Sequence, residues 1–352
     1  MRTVTSLVER AEEWAAYRIL RAPDLVLRHS TVRRPIAVDG QRLEPRTQHA
    51  LAVLARGGRP PLDQMMVVDA RIEYERMPRV FEDPPLPLPR VEDGSIPGPG
   101  GRLPIRIYGP RAGNQVLPVL VYFHGGGGVI GSIDTHDGLC RILARGADCL
   151  VVSVGYRLGP EHPFPAAPED ALVAFRWALR HATELHGDPR RIAVGGDSMG
   201  GCLAAVVCQL ARDAGRERPC AQWLLYPGLD RSTTTRSMEL FADGFMLTAS
   251  MLNWFMDHYL GGADPRDPRA SPALHPRLDD LPPTVLVTAG FDPLRDEGHA
   301  YADALAGAGV EVRRRCHDGL IHGFAQMTGV VGVARRALVD AAAELRAIFG
   351  AT

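Results

Sequence analysis

The 352-residue chain lacks any long apolar run and carries almost no net charge. It opens Met1-Arg2-Thr3-Val4-Thr5-Ser6, and charges return at Glu9 and Arg10 before an apolar core can build. Neither a signal peptide nor a transmembrane helix is therefore expected, and the cytoplasm follows as the expected location. Forty basic residues against 41 acidic ones leave a formal net charge of −1. That balance removes any electrostatic reason to expect nucleic acid or stable membrane insertion. Arg33-Arg34 and the run from Arg313 to Arg315 are too short for a charged interaction tail. Cysteine is sparse. Cys140, Cys149, Cys202, Cys208, Cys220 and Cys316 form no Cys-x-x-Cys pair and no Cys/His cluster of zinc spacing. They read as buried free thiols in a reducing compartment, with no metal site, and Cys202 falls near the nucleophile argued for below.

What is present is ordinary globular composition, 45% hydrophobic and 23% charged, enough for one large α/β domain and a smaller appendage. Residues 1–90 read as helical and loopy, without clear strands. Ser6-x-x-Glu9 has the form of a capping box, with Leu7, Ala11 and Trp14 on one helix face. Further helices are expected near Thr47–Ala55 and Leu62–Met77. The run Pro84-Pro85-Leu86-Pro87-Leu88-Pro89 reads as an extended connector.

Beyond Gly94 short β-branched runs alternate with helical stretches. Strands are expected at Val119–Phe123, Leu150–Val154, Arg191–Val194, Trp223–Tyr226, Thr284–Thr288 and Val310–Arg314. Helices are expected at Leu139–Arg145, Pro168–Arg180, Gly201–Arg212, Arg295–Ala306 and Val331–Ile348. Continuous apolar strands separated by helices predict a mostly parallel central sheet covered on both faces. The alternation breaks between Tyr226 and Thr284. There Thr248–Leu260, with Met251, Leu252, Trp254, Phe255, Met256 and Tyr259, reads as a helix that packs the core, walls a pocket, or does both.

Three local patterns carry chemistry. Gly196-Asp197-Ser198-Met199-Gly200 lies between an expected strand and an expected helix, the setting of a nucleophile elbow. The helix N-terminus behind it favours developing negative charge. His124-Gly125-Gly126-Gly127 follows another strand. Its backbone N–H groups, with that of Met199, suit an oxyanion hole. No Gly-Lys-Ser/Thr follows it, so it is not a phosphate loop. A serine hydroxyl needs a base. In chain order the acid and base expected after Ser198 are Asp292, past strand Thr284–Thr288, and His322, flanked by Gly323. Asp296 and Glu297 are weaker acids for the role, and His317 is the alternative base.

Together these residues resemble the hormone-sensitive-lipase-like esterases, the bacterial family IV carboxylesterases. The resemblance runs over residues 95–350 and rests on His124 to Gly127 with Gly131, on Asp134-Thr135-His136-Asp137, and on Tyr156-Arg157-Leu158-Gly159-Pro160-Glu161. It continues through Phe164-Pro165-Ala166, the Ser198 elbow, Asp292 to Glu297, and His322-Gly323-Phe324. It implies an α/β-hydrolase fold with a Ser198–Asp292–His322 triad, oxyanion donors at Gly125, Gly126 and Met199, and no cofactor. The implied activity is hydrolysis of short- to medium-chain acyl esters. The implied cap comprises residues 1–90 and 228–264, leaving 91–227 and 265–352 as the catalytic core. Leu252, Phe255 and Met199 are the expected pocket residues. Met199 and Gly159 stand where the family usually has alanine, and the N-terminal region is longer than usual. The expected partner is a small-molecule ester, with a homodimer left open. An amidase or acyltransferase would use the same triad, and a non-catalytic receptor of this fold is disfavoured because serine, aspartate and histidine are all present.

Overall fold

The structure, a computed structural model, describes residues 7–23 and 34–351. Its centre is an eight-stranded sheet. Strands β5 (Leu117–Phe123) and β6 (Leu150–Val154) are buried at every position, as strands covered by helices on both faces must be. They continue into β7 (Gly187–Asp197), β8 (Gln222–Leu225), β9 (Thr284–Phe291) and β10 (Val312–Ile321), all parallel. A hairpin of β3 (Arg90–Gly98) and β4 (Gly101–Gly109) closes one edge, antiparallel to β6. The order across the sheet is β10-β9-β8-β7-β5-β6-β4-β3.

That hairpin is absent from the strands expected on sequence. Pro97, Gly98, Pro99, Gly100, Gly101 and Pro104 crowd it and read as loop. Pro97 lies in the edge strand β3, whose outer N–H groups need no partner, and Pro104 lies in β4 just before the stretch Ile105–Tyr108 that pairs with β6. A short pair, β1 (Ala37–Val38) and β2 (Gln41–Arg42), likewise lies in the region expected to lack strands.

The helices fall close to their expected positions. Helix α1 spans Leu7–Leu20, α2 Pro45–Arg56 and α3 Val67–Phe81. Ser6, the expected cap of α1, lies outside the described residues. Trp14, expected to share a face with Leu7 and Ala11, stands 66% exposed. In the sheet-flanking layers are α4 (Asp137–Ala147), α5 (Ala166–His181), α6 (Met199–Asp213), α9 (Arg295–Gly307) and α10 (Gly332–Ala351). Helix α6 is buried nearly throughout, which explains its apolar run Leu203–Val207. The excursion after β8 holds α7 (Arg236–Leu240) and α8 (Ala249–Leu260), each capped by a threonine, Thr235 and Thr248, whose hydroxyl accepts from the helix's own backbone.

The Tyr156-Arg157 segment has a structural task. Tyr156 Oη donates to the His124 carbonyl at 2.8 Å. Arg157 grips Asp170 through Nε and Nη2 at 2.8–3.1 Å, and its backbone N–H adds a bond of 2.9 Å. Asp170 is fully buried. Removing one partner of such a pair strands the other's charge. Asp170→Ala is therefore expected to cost about 3 kcal/mol, read as a lower urea midpoint at unchanged slope; an unchanged midpoint contradicts this account.

Candidate active site

Ser198 sits between β7 and α6 with φ +53° and ψ −118°, a conformation L-residues rarely hold. The turn that carries it packs directly on the end of β5. A Cβ on Gly196 would lie 2.3 Å from the Phe123 carbonyl oxygen, and one on Gly200 1.8 Å from it. Only glycine fits at either position, which is why the pattern has the form it does. The Ser198 N–H donates to the Leu225 carbonyl at 2.8 Å and fixes the turn to β8.

His322 follows the last residue of β10, one step past Ile321. Its Nε2 lies 3.0 Å from Ser198 Oγ, and its Nδ1 2.8 Å from Asp292 Oδ2. Asp292, next after Phe291 at the end of β9, is fully buried, and its other oxygen accepts from the Leu294 N–H at 2.8 Å. A carboxylate on Nδ1 makes that nitrogen the donor, leaving Nε2 as acceptor for the serine hydroxyl. The Tyr226 ring packs on the imidazole at 4.7 Å between centroids. The expected β10 ended at Arg314, but the strand runs on to Ile321 through an irregularity after His317. His317 lies within this strand, edge-on to Phe324. Asp296 accepts from the Ser237 N–H and pairs with Arg295. Neither of these alternatives joins the Ser198–His322–Asp292 chain.

The glycine loop departs from expectation at one residue. The Gly125 N–H donates to the buried Asp197 Oδ1 at 2.8 Å, so it is not free to bind an oxyanion. Asp197 also accepts from Tyr122 Oη and lies 3.3 Å from His136 Nε2. Burial pushes its carboxyl up, but His136 and the Tyr122 hydroxyl outweigh this and hold it below the usual range. Burial, aided by His136, pushes the His124 imidazole down to about 3. His124 is thus neutral, stacked on Tyr156 at 4.3 Å. Gly126 and Gly127 do face the cavity that contains Ser198. Among the described residues no acceptor engages their N–H groups or that of Met199, the first residue of α6. The aspartate that claims Gly125 was in view inside the elbow pattern, but nothing in sequence spacing shows where its side chain turns.

The cavity holds about 560 Å³. Its wall includes Met199, Leu252 and Phe255, together with Leu62, Tyr74 and Met77 from the N-terminal region. Phe255 lies against the glycine loop. A Cβ on Gly127 would meet its ring carbon at 2.2 Å, and Gly127 has φ +62°. Helix α3 is tied to the same loop. Arg71 donates to the carbonyls of Val129 at 2.9 Å and Gly159 at 2.8 Å, and pairs bidentately with Glu161, whose carboxyl it draws down to about 2. Polar residues not expected in the wall include Asp230, Arg231, Glu239 and, among the rejected acids, Glu297. Glu297 is buried, and its Oε1 accepts from the Leu229 N–H at 2.6 Å. Burial raises its carboxyl to about 8. Among the described residues no cluster suited to a metal ion occurs. Among the described residues no helix is long and apolar enough to cross a membrane.

Comparison with known proteins identifies the family. A family profile described as the α/β-hydrolase fold matches residues 120–326. The carboxylic ester hydrolase LipN of Mycobacterium tuberculosis is 48% identical over 301 residues, covering 83% of this chain and 79% of that protein. The ethyl acetate hydrolase of Pseudomonas putida is 41% identical over 244 residues, 68% of this chain and 77% of its own. Among solved structures, an α/β-hydrolase enzyme from the metagenome of Lake Arreo superposes with a TM-score of 0.85 at 42% identity, covering 88% of this chain and 99% of that one. The Pyrobaculum calidifontis esterase gives 0.80 at 38%, covering 87% and 98%. The chain belongs to the α/β-hydrolase family, in its hormone-sensitive-lipase-like branch of carboxylic ester hydrolases.

Proposed function

We propose that this ester hydrolase works through Ser198 as nucleophile, His322 as general base and acid, and Asp292 as the group that orients and stabilises the imidazole. The observation that carries the reading is the unbroken chain Ser198 Oγ–His322 Nε2–His322 Nδ1–Asp292 at 3.0 and 2.8 Å, opening into an apolar cavity. His322 takes the serine proton as Oγ attacks the ester carbonyl. The N–H groups of Gly126, Gly127 and Met199 receive the negative charge that develops on the carbonyl oxygen. His322 then returns the proton to the leaving alcohol. Water repeats the cycle on the acyl-enzyme and regenerates the serine.

Residues 1–90 and 228–264 act as a cap over this core. Leu62, Tyr74 and Met77 from the first and Leu252 and Phe255 from the second support that division, since all five line the cavity. A cavity of about 560 Å³ suits short- to medium-chain acyl esters of small alcohols. The six free cysteines fit a reducing compartment, and the cytoplasm is the location we propose.

Ser198→Ala should lower kcat by at least about a thousand-fold while circular dichroism and thermal midpoint stay as in the wild type. A folded Ser198→Ala protein that still turns over aryl esters at near wild-type rate would falsify the mechanism.

Glu297 generates a pH prediction. Its carboxyl sits at about 8 in the folded chain and at its ordinary 4.5 when unfolded. The folded form thus holds the proton more tightly. The stability linked to this group is complete below about pH 4.5 and is lost as pH rises towards 8, by at most about 1.4 kcal/mol per pH unit. Glu297→Gln removes that dependence. Its urea midpoint relative to the wild type should climb steadily from pH 5 to pH 8, and parallel curves across that range would contradict it.

A further inference from the structure

Arg231 is a cation in the wall of a mainly apolar cavity, and among the described residues it forms no ion pair. Its guanidinium is held by soft or neutral partners. Nη2 lies 3.0 Å from Met199 Sδ and Nη1 3.6 Å from Cys202 Sγ, while Nη1 also donates to the Ala270 carbonyl. The group packs over the Tyr259 ring, 5.4 Å from its centroid. Thioether and thiol sulfurs are weak acceptors and the Ala270 carbonyl is neutral, so these contacts hold the fork without neutralising its charge. Two nearby carboxyls leave the charge uncompensated. Asp230 turns its carboxylate to the N–H and hydroxyl of Ser232. Glu297, raised to about 8, is mostly protonated at neutral pH.

Two further polar atoms of the same cavity are unsatisfied. Tyr259 is 1% exposed, and its hydroxyl has no hydrogen-bond partner. Glu297 is 4% exposed, and its Oε2 also has none. Both residues line the cavity. A buried hydroxyl, a protonated carboxyl and a guanidinium are all donors. Buried donors without acceptors are costly. One occupant satisfies all three, a group that is anionic and rich in acceptors. A planar carboxylate matches the guanidinium fork best.

We infer that Arg231, with Tyr259 and Glu297, forms a subsite for a carboxylate on the substrate, so that the enzyme takes esters bearing an acid group away from the scissile bond. This rests on the reading of Ser198 as the nucleophile of the same cavity. The matching substrates are half-esters of dicarboxylic acids, if the subsite receives the acyl side, or acyl esters of hydroxy acids, if it receives the alcohol side. Both share the same recognised group, and two substrate series distinguish them.

The test compares each charged ester with a neutral partner of equal length: monoethyl adipate with ethyl heptanoate, and 4-acetoxybutanoate with pentyl acetate. In one of the two series the wild type should show a KM for the charged member at or below that of the neutral one. In that series Arg231→Met should lower kcat/KM for the charged ester at least ten-fold more than for its partner. Tyr259→Phe, which removes one hydroxyl and keeps the ring, should shift the ratio in the same direction by about three-fold or more. Arg231→Lys, which keeps the charge but not the fork, should retain part of the preference. A higher wild-type KM for the charged member in both series overturns the inference, as do equal losses on both members in the variants. If Arg231→Met does not fold, the wild-type comparison and Tyr259→Phe still decide. Inactive wild type on the neutral esters would instead strike at the Ser198 reading, so the two failures are separable.

Discussion

The site depends on how closely the carboxyl end of β7 approaches that of β5. The Phe123 carbonyl oxygen occupies the space where side chains on Gly196 and Gly200 would otherwise be. That contact sets the serine turn against the start of the glycine loop. The Asp197 carboxylate, at the end of β7, ties the same two strand ends together, accepting from Tyr122 within β5 and from Gly125 just past it. The proposed nucleophile and oxyanion donors are therefore held by one dense block of backbone and one buried carboxylate, rather than by two independent loops. A site assembled this way is preorganised, because neither half can shift without opening the other.

This block also explains why the aspartate of the elbow is not free to vary chemically. Its charge is buried, and it survives there because His136, Tyr122 and the Gly125 N–H all face it. Claiming the Gly125 N–H has a consequence one residue along. The loop offers its next two N–H groups to the cavity and turns the first inward. The neutral, stacked His124 fits the same arrangement, since a cation there would compete for Asp197.

Much of this was legible in the chain itself, and the exceptions have physical reasons. The central strands stand out because burial on both faces makes them continuously apolar, and Ser198 and Asp292, two members of the proposed triad, stand out because each follows such a strand. The β3–β4 hairpin does not, because its outer strand β3 is mostly exposed and its turn is built from proline and glycine. The true end of β10 was obscured by three arginines and a bulge, which break the apolar run without breaking the ladder. The direction of a single N–H, as at Gly125, depends on a side chain 72 residues away in sequence. No local pattern carries that information. Arg231 and Glu297 were hidden for a similar reason. In sequence a charged residue defaults to the surface, and only the fold shows one turned into a cavity.

Met199 links the two halves of the argument. Its backbone N–H faces the cavity at the start of α6, where any residue would serve. Its side chain is buried and lies against the Arg231 guanidinium. An alanine there would leave that face of the guanidinium open. A thioether fills the space without neutralising the charge, since it is polarisable and accepts only weakly. A carboxylate in its place would have closed an internal ion pair and removed the cation from reach. The departure from the family's usual alanine thus acts on the wall rather than on the oxyanion hole. It braces a cation that the surrounding sulfurs and aromatic ring hold in position without neutralising, and so gives a mainly apolar cavity one cationic corner.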